Sequence, residues 1–369
     1  MLNGVSGGRT DKIACARYHG RQVSFIGFFE RKIEFFANNG NGGIIMSSQQ
    51  TGKIPKVGVL VGGDVDTLKT GYTRWLYDYF ADLALNGHWV LQVLGHKALA
   101  KGSRVPWDLE PLERGSLSPG PMPDDIRAHQ FDGLIALQVS SHQYLAEVAK
   151  LGPLLVLDSQ VIGVNCDSVI FDGLKAGFQI GQHLAASGHR DILFASAYTR
   201  DMTARQGAEE YIEDDASIDR RLGILNGIEG TAATLWPTLP VKGSDSNETL
   251  KARVSRFLES TGRVPDALAG HDTSYVGRVS KVLEQLGLKI PGQVSVIAFD
   301  ADPPLVSESQ HISHLQFPWR DMAAAGWKLL SSRMNDPKTR YAPPRVERVT
   351  GQFIDRGSVV DRRARREHC

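Results

Sequence analysis

The chain has 369 residues, 41% of them hydrophobic, and a formal net charge of +1. That length supports two or more domains with sizeable cores, and the balanced charge excludes a bulk attraction to nucleic acid or to an anionic membrane. The scattered cysteines Cys15, Cys166 and Cys369 have no Cys-x-x-Cys or metal-ligand spacing and fit a reducing, cytoplasmic setting, while no apolar run reaches the length of a membrane span and the first residues lack the apolar core of a secretory signal.

Residues 1–55 follow no regular pattern. Gly-rich stretches (Gly7-Gly8 and residues 38–43) flank an apolar segment, residues 23–36, that holds five phenylalanines, and the polar residues 47–53 read as a linker. From Lys56 the pattern becomes periodic. Residues 57–61 form a buried strand with a Gly62-Gly63-Asp64 turn, and Trp75, Leu76, Tyr79, Phe80 and Leu83 mark one face of a helix closed by Gly87. Residues 90–94 are a second strand, and 96–124, rich in Pro, Gly and charge, read as an insertion or extended surface loop. Residues 131–137 and 154–157 are the third and fourth strands, the fourth ending at Asp158.

A second series follows: a strand at 169–171, a helix at 173–187 stopped by Gly188, a strand at 190–195 and a mainly helical stretch at 204–228, interrupted around 214–217. A helix at 249–260, a strand at 267–269, a helix at 274–286 and a strand at 294–299 complete it. Alternating strand and helix predicts parallel sheets with right-handed crossovers, hence an α/β chain of two doubly wound, Rossmann-like halves around a ligand cleft. Asp300 follows a buried strand, where ligands bind in open α/β sheets. Asp172 also follows a strand, but an aspartate there is a natural cap for the next helix. Gly62-Gly63-Asp64 lacks the GxGxxG dinucleotide pattern, His183 and His189 are wrongly spaced for one zinc pair, and no nucleophile–base motif is apparent. The chain therefore reads as a non-enzyme without a cofactor or a metal.

Several ordered motifs carry a family resemblance across residues 56–359: the run from Ser168 to Gly177, then Gly188-His189-Arg190-Asp191-Ile192, Ala269-Gly270-His271-Asp272, Gln316-Phe317-Pro318-Trp319 and Arg356-Gly357-Ser358-Val359. Together they resemble the effector-binding domain of LacI/GalR-type bacterial regulators, whose fold is that of type I periplasmic sugar-binding proteins. The resemblance implies that 56–160 with 300–319 form one subdomain and 161–299 with 320–359 the other, followed by a basic tail at 360–369. It implies ligand contacts from Asp158 and Asp300, with Phe171 as a wall and Trp319 covering the apolar face of a sugar ring. His271 stands where an asparagine is usual. Arg205 and Arg221 both fit the position of the family's ligand-binding arginine.

By the same resemblance the chain is a ligand-sensing regulator. Its effector is a small molecule of the sugar class, its further partners are an operator DNA and a second copy in a homodimer, and it has no membrane partner. The alternative is a sugar-binding protein for transport. Members normally begin with a helix-turn-helix headpiece, and residues 1–55 show no such motif. The related xylose-regulator type places a DNA-binding domain after the sensor, yet only about ten residues follow Val359. The expectation is that this polypeptide alone binds DNA weakly.

Overall fold

In the computed structural model, the residues described are 12–18, 21–28, 32–37, 55–64, 71–87, 89–96, 123–137, 139, 142–200, 211–299, 311–336, 338–339 and 342–363. The chain divides into two compact units. Unit 1 comprises Met1–Ile170 with Trp319–Glu347, and unit 2 comprises Phe171–Pro318 with Arg348–Cys369.

Unit 1 is built on strands β1 (Lys12–Tyr18), β2 (Arg21–Phe28), β3 (Lys32–Ala37), β4 (Lys56–Asp64), β5 (Val90–His96), β6 (Gly133–Leu137), β7 (Leu154–Leu157) and β8 (Asp167–Phe171). The sheet order is β1-β2-β3-β5-β4-β6-β7-β8, and β16 (Val346–Val349) follows β8 at its end. From β5 to β8 the neighbours run parallel. Their runs are apolar without alternation because helices cover both faces of such a sheet. The apolar stretch at 23–36 becomes part of β2 and β3, an antiparallel pair that joins the sheet through β3 against β5. The proposed linker at 47–53 and most of the 96–124 insertion lie outside the described residues; the helix α2 (Pro123–Ala128) begins at the end of the latter.

Unit 2 has the sheet order β10-β9-β13-β14-β15-β17, formed by β9 (Asp191–Arg200), β10 (Tyr211–Glu213), β13 (Ala267–Gly270), β14 (Ser295–Phe299), β15 (Ser313–Gln316) and β17 (Gln352–Ile354). The short strands β11 (Thr234–Leu235) and β12 (Leu239–Lys242) also pair with β9. Its core joins Leu193, Val241, Leu268 and Val296 to Val276, Val279 and Leu283 of helix α7 (Thr273–Gln285).

The division between units corrects the boundaries expected from the sequence. Residues 311–318 belong to unit 2 because β15 pairs in parallel with β14. Residues 319–347 belong to unit 1 because helix α8 (Trp319–Asn335) packs on α1 (Gly71–Gly87) and behind β6 and β7. A second correction concerns 204–228: residues 211–213 are a strand antiparallel to β9, and helix α5 starts only at Asp215 (Asp215–Ile228), capped by Asp214.

Three local devices set the geometry. Helices α4 (Gly173–Ala186) and α5 meet backbone to backbone at Gly177, Gly181, Gly223 and Gly227. A Cβ at Gly223 would stand 2.1 Å from the carbonyl oxygen of Leu174, so no side chain fits between the helices. In unit 1, buried Asp167 accepts hydrogen bonds from Arg333 (2.9 and 2.6 Å) and from the backbone and side chain of Arg345 (2.9, 3.2 and 2.6 Å). In unit 2, the returning segment after β17 is laced to the sheet. Val296 donates to Ser358 O at 2.9 Å, and the hydroxyl of Ser295 accepts from Val360 N–H at 3.1 Å and contacts His189 Nε2 at 2.8 Å. The other nitrogen of this buried ring, Nδ1, lies 3.1 Å from Leu184 O, an acceptor, so Nδ1 carries the proton and Nε2 accepts from Ser295.

Candidate ligand-binding site

The carboxyl edge of unit 2's sheet gathers aromatic and basic side chains. Phe171 leaves β8, Phe299 ends β14, and Phe317 follows β15. The rings of Phe171 and Phe317 stack with centroids 4.9 Å apart and planes 22° apart. Over this surface lies the guanidinium of Arg220, with its Cζ 5.4 Å from the centroids of both Phe171 and Phe299.

Arg220 is only 4% exposed. Its Nη1 donates to His271 O, its Nε is buried without a partner, and among the described residues it pairs with no carboxylate. His271, just past β13, places Nδ1 2.8 Å from Ser217 Oγ, and Ser217 Oγ in turn accepts from Ala197 N–H at 3.1 Å. Tyr275 closes on the imidazole edge-on, with centroids 5.4 Å apart. Burial, and secondarily the charge of Arg220, hold the His271 pKa well below the usual histidine value, so the ring is neutral.

The described aspartates at this edge cap helices, and Asp214 Oδ1 also lies 3.8 Å from His271 Nδ1. Asp172 accepts from Lys175 N–H, Asp214 from Ala216 and Ser217 N–H, and Asp272 from Tyr275 N–H. Burial pushes the carboxyl of Asp214 above its usual pKa. Ser217 and His271 form a hydroxyl–imidazole pair that no sequence motif revealed. The serine is fully buried at 0% exposure, so its oxygen has no access to a substrate, and the pair serves to orient the ring.

The residues expected from the sequence fall into three groups. Phe171 and His271 come together on unit 2, joined through Arg220. Arg221, the neighbour of Arg220, turns to Glu213 instead, with Nε and Nη2 each 3.2 Å from a carboxylate oxygen. Asp158 and Trp319 belong to unit 1. Asp158 is exposed after β7, its N–H donates to Val169 O at 2.8 Å, and its φ of 62° lies in the left-handed region, which is uncommon for residues other than glycine but better tolerated by aspartate than by most. Trp319 opens α8 with 5% exposure. Arg205 and Asp300 lie outside the described residues. Arg220 is the residue that the sequence reading missed. Its signal was the helical spacing of Ser217, Arg220, Gly223 and Ile224, the buried stripe of α5.

Two doubly wound α/β units, with polar groups clustered at the carboxyl edge of a parallel sheet, define the periplasmic-binding-protein-like class. The chain's residues 182–359 match the periplasmic binding protein-like domain family. It is 29% identical over 237 residues, 63% of either chain, to the HTH-type transcriptional regulator PtxS of Pseudomonas plecoglossicida. It is 30% identical over 196 residues to a "probable opine utilization operon repressor" of Rhizobium rhizogenes, covering 51% of this chain and 90% of that one. A ribose-bound structure of a LacI-family transcriptional regulator from Enterococcus faecium superposes with a TM-score of 0.55 at 17% identity, covering 83% of this chain and 99% of that one. The chain belongs to the LacI/GalR family of transcriptional regulators, through its effector-binding domain. It spans about 63% of the length of the PtxS relative.

Proposed function

We propose that the chain is the ligand-sensing part of a transcriptional regulator, and that a small molecule of the sugar class binds at the carboxyl edge of unit 2. The observation that carries this reading is Arg220, desolvated over an aromatic surface, without a carboxylate hydrogen-bond partner among the described residues and next to a neutral histidine. A buried cation without a counter-ion is costly, and a ligand offering oxygen acceptors repays that cost. The relatives, which include an HTH-type regulator and an operon repressor, support the regulator role over transport. Asp158 and Trp319 remain proposed contacts by the family resemblance, and Arg220 takes the part for which Arg205 and Arg221 were the sequence candidates. Asp300 remains a proposed contact.

Ligand binding then shifts a conformational equilibrium that sets operator affinity, within a cytoplasmic homodimer that catalyses no reaction. Among the described residues no helix is long and apolar enough to cross a membrane. The test is a gel-shift titration, on DNA upstream of the chain's own gene, of the full-length gene product, with and without any sugar that raises the melting temperature of this chain. An operator affinity indifferent to every such ligand would sink the regulator reading. Loss of ligand binding in a folded Arg220→Gln variant is the expected result at the site itself.

A further inference from the structure

The donor pattern at the unit 2 edge restricts the ligand further. Ser217 is buried, and its oxygen already accepts from Ala197 N–H. Its own proton needs an acceptor, and the partner in reach is His271 Nδ1 at 2.8 Å. His271 Nδ1 is therefore the accepting nitrogen, and the neutral ring carries its proton on Nε2. Tautomer and ring direction are both held by the Ser217–Ala197 chain of hydrogen bonds. Among the described residues the Arg220 guanidinium makes one hydrogen bond, to His271 O, and leaves Nε unpartnered. The pair Arg220 and His271 thus offers N–H donors, and among the described residues no carboxylate hydrogen-bonds either of them: Asp214 Oδ1 lies 3.8 Å from His271 Nδ1, but Asp214, like Asp172 and Asp272, accepts from a helix N-terminus. Neutral sugar hydroxyls both donate and accept, so they leave half of their own capacity unused against such a pair. An oxyanion only accepts, matches the donors and neutralises the desolvated guanidinium.

We propose that the ligand carries an acidic oxygen group, a carboxylate or a phosphate ester on a polyol frame, and that this group docks on Arg220 and His271. The proposal rests on the ligand-sensing reading above and names the chemical class of its effector.

The test uses the complete chain and matched pairs of probes: D-gluconate against D-glucose, D-galactonate against D-galactose, D-glucose 6-phosphate against D-glucose, and D-ribose 5-phosphate against D-ribose. Melting temperature and calorimetric affinity are read for each. The expected result is that at least one acid or phosphate binds about 10- to 100-fold more tightly than its neutral partner, the ratio set by a charged hydrogen bond. The carboxylate and phosphate arms tell the two sources apart. Arg220→Gln should abolish that ratio, and Arg220→Lys should restore part of it. Should Arg220→Gln fail to fold, the ¹⁵N shifts of the His271 ring in the parent chain serve instead: the bound anion should move the Nε2–H signal and the neutral partner should not. Neutral sugars that bind as well as their acids would overturn the anionic class and leave the sensing role intact. Binding by no member of any pair would count against both.

Discussion

Arg333 and Arg220 are buried alike, at 5% and 4% exposure, yet their surroundings are opposite. Arg333 meets a carboxylate on two nitrogens and the carbonyls of Thr339, Ala342 and Pro343, so its charge and donors are spoken for. Among the described residues Arg220 meets two phenyl faces and one carbonyl. Burial alone does not distinguish a structural arginine from a functional one. The completeness of its hydrogen bonding does, because a charge left uncompensated in the folded state is tolerated where something outside the fold completes it.

The largest effect expected from this contrast is at Asp167. Asp167→Asn leaves two guanidinium groups facing a neutral amide and should cost about 3–5 kcal/mol, the range for breaking a buried ion pair from one side, read as a fall in the urea midpoint. Burial alone would raise the pKa of Asp167, but the hydrogen bonds from Arg333 and Arg345 outweigh it and hold it below the usual carboxylate value. The folded pKa is depressed, so this stabilisation is complete above the unfolded value of about 3.9 and drains as pH falls through the folded one. The variant should lose that acid slope.

Gly223→Ala comes next. Its new Cβ would meet Leu174 O at 2.1 Å, and because both neighbours are backbone the helices must part. A loss of about 1–3 kcal/mol is expected in denaturant titration, with weakened ligand binding because α5 carries Arg220. His189 sharpens the comparison from the side of a buried base. Burial, the leading cause, lowers its pKa, so the unfolded chain takes up a proton first, and stability should fall as pH drops below about 6.5, by at most about 1.4 kcal/mol per pH unit. The pKa values of His271, His183 and His314 are depressed in the same direction and add to the slope, so unfolding measured from pH 7.5 to pH 5.5 should show it in the parent chain, and His189→Gln should reduce it by one histidine's share.

Arg220→Met should move stability little, or raise it by up to about 1 kcal/mol, since an apolar side chain replaces a charge that hydrogen-bonds no carboxylate among the described residues, while ligand binding is lost. A destabilisation as large as that of Asp167→Asn would erase the distinction between the two arginines. The smallest effect is at Asp158. Glycine there relieves the left-handed backbone, and Asp158→Gly should gain a few tenths to about 1 kcal/mol in thermal unfolding while weakening the ligand.

The strands and helices from Lys56 onward were legible because parallel strands buried on both faces read as unbroken apolar runs, and caps such as Gly87 and Gly188 stop helices. The residue pair at 220 and 221 was not. Adjacent positions on a helix differ by about 100° in direction, so which arginine turns inward depends on helix phase. The phase was masked by treating 204–228 as mainly helical; β10 ends at Glu213, and the cap at Asp214 resets the count. His271 was legible as a polar residue at a strand tip, but its serine partner lies 54 positions away and came together with it only in three dimensions. The subdomain boundaries failed for a related reason: a helix that packs on α1 and a strand that pairs with β14 follow one another at 313–335, and nothing local tells which sheet each one joins.

The interleaving of the two units has a consequence for biosynthesis. Unit 1 needs α8, which pairs with a helix begun almost 250 positions earlier, and unit 2 needs the 352–363 return to cover β15 and lace β14. During translation neither unit can be completed when the residues of its first strands leave the ribosome. Unit 1 waits for residues 319–335 and unit 2 for residues 352–363. Folding of such a chain is dominated by contacts distant in sequence, which makes it slow and leaves apolar sheet faces uncovered for most of synthesis. The elements that complete the two units are therefore α8 for unit 1 and the 352–363 return for unit 2.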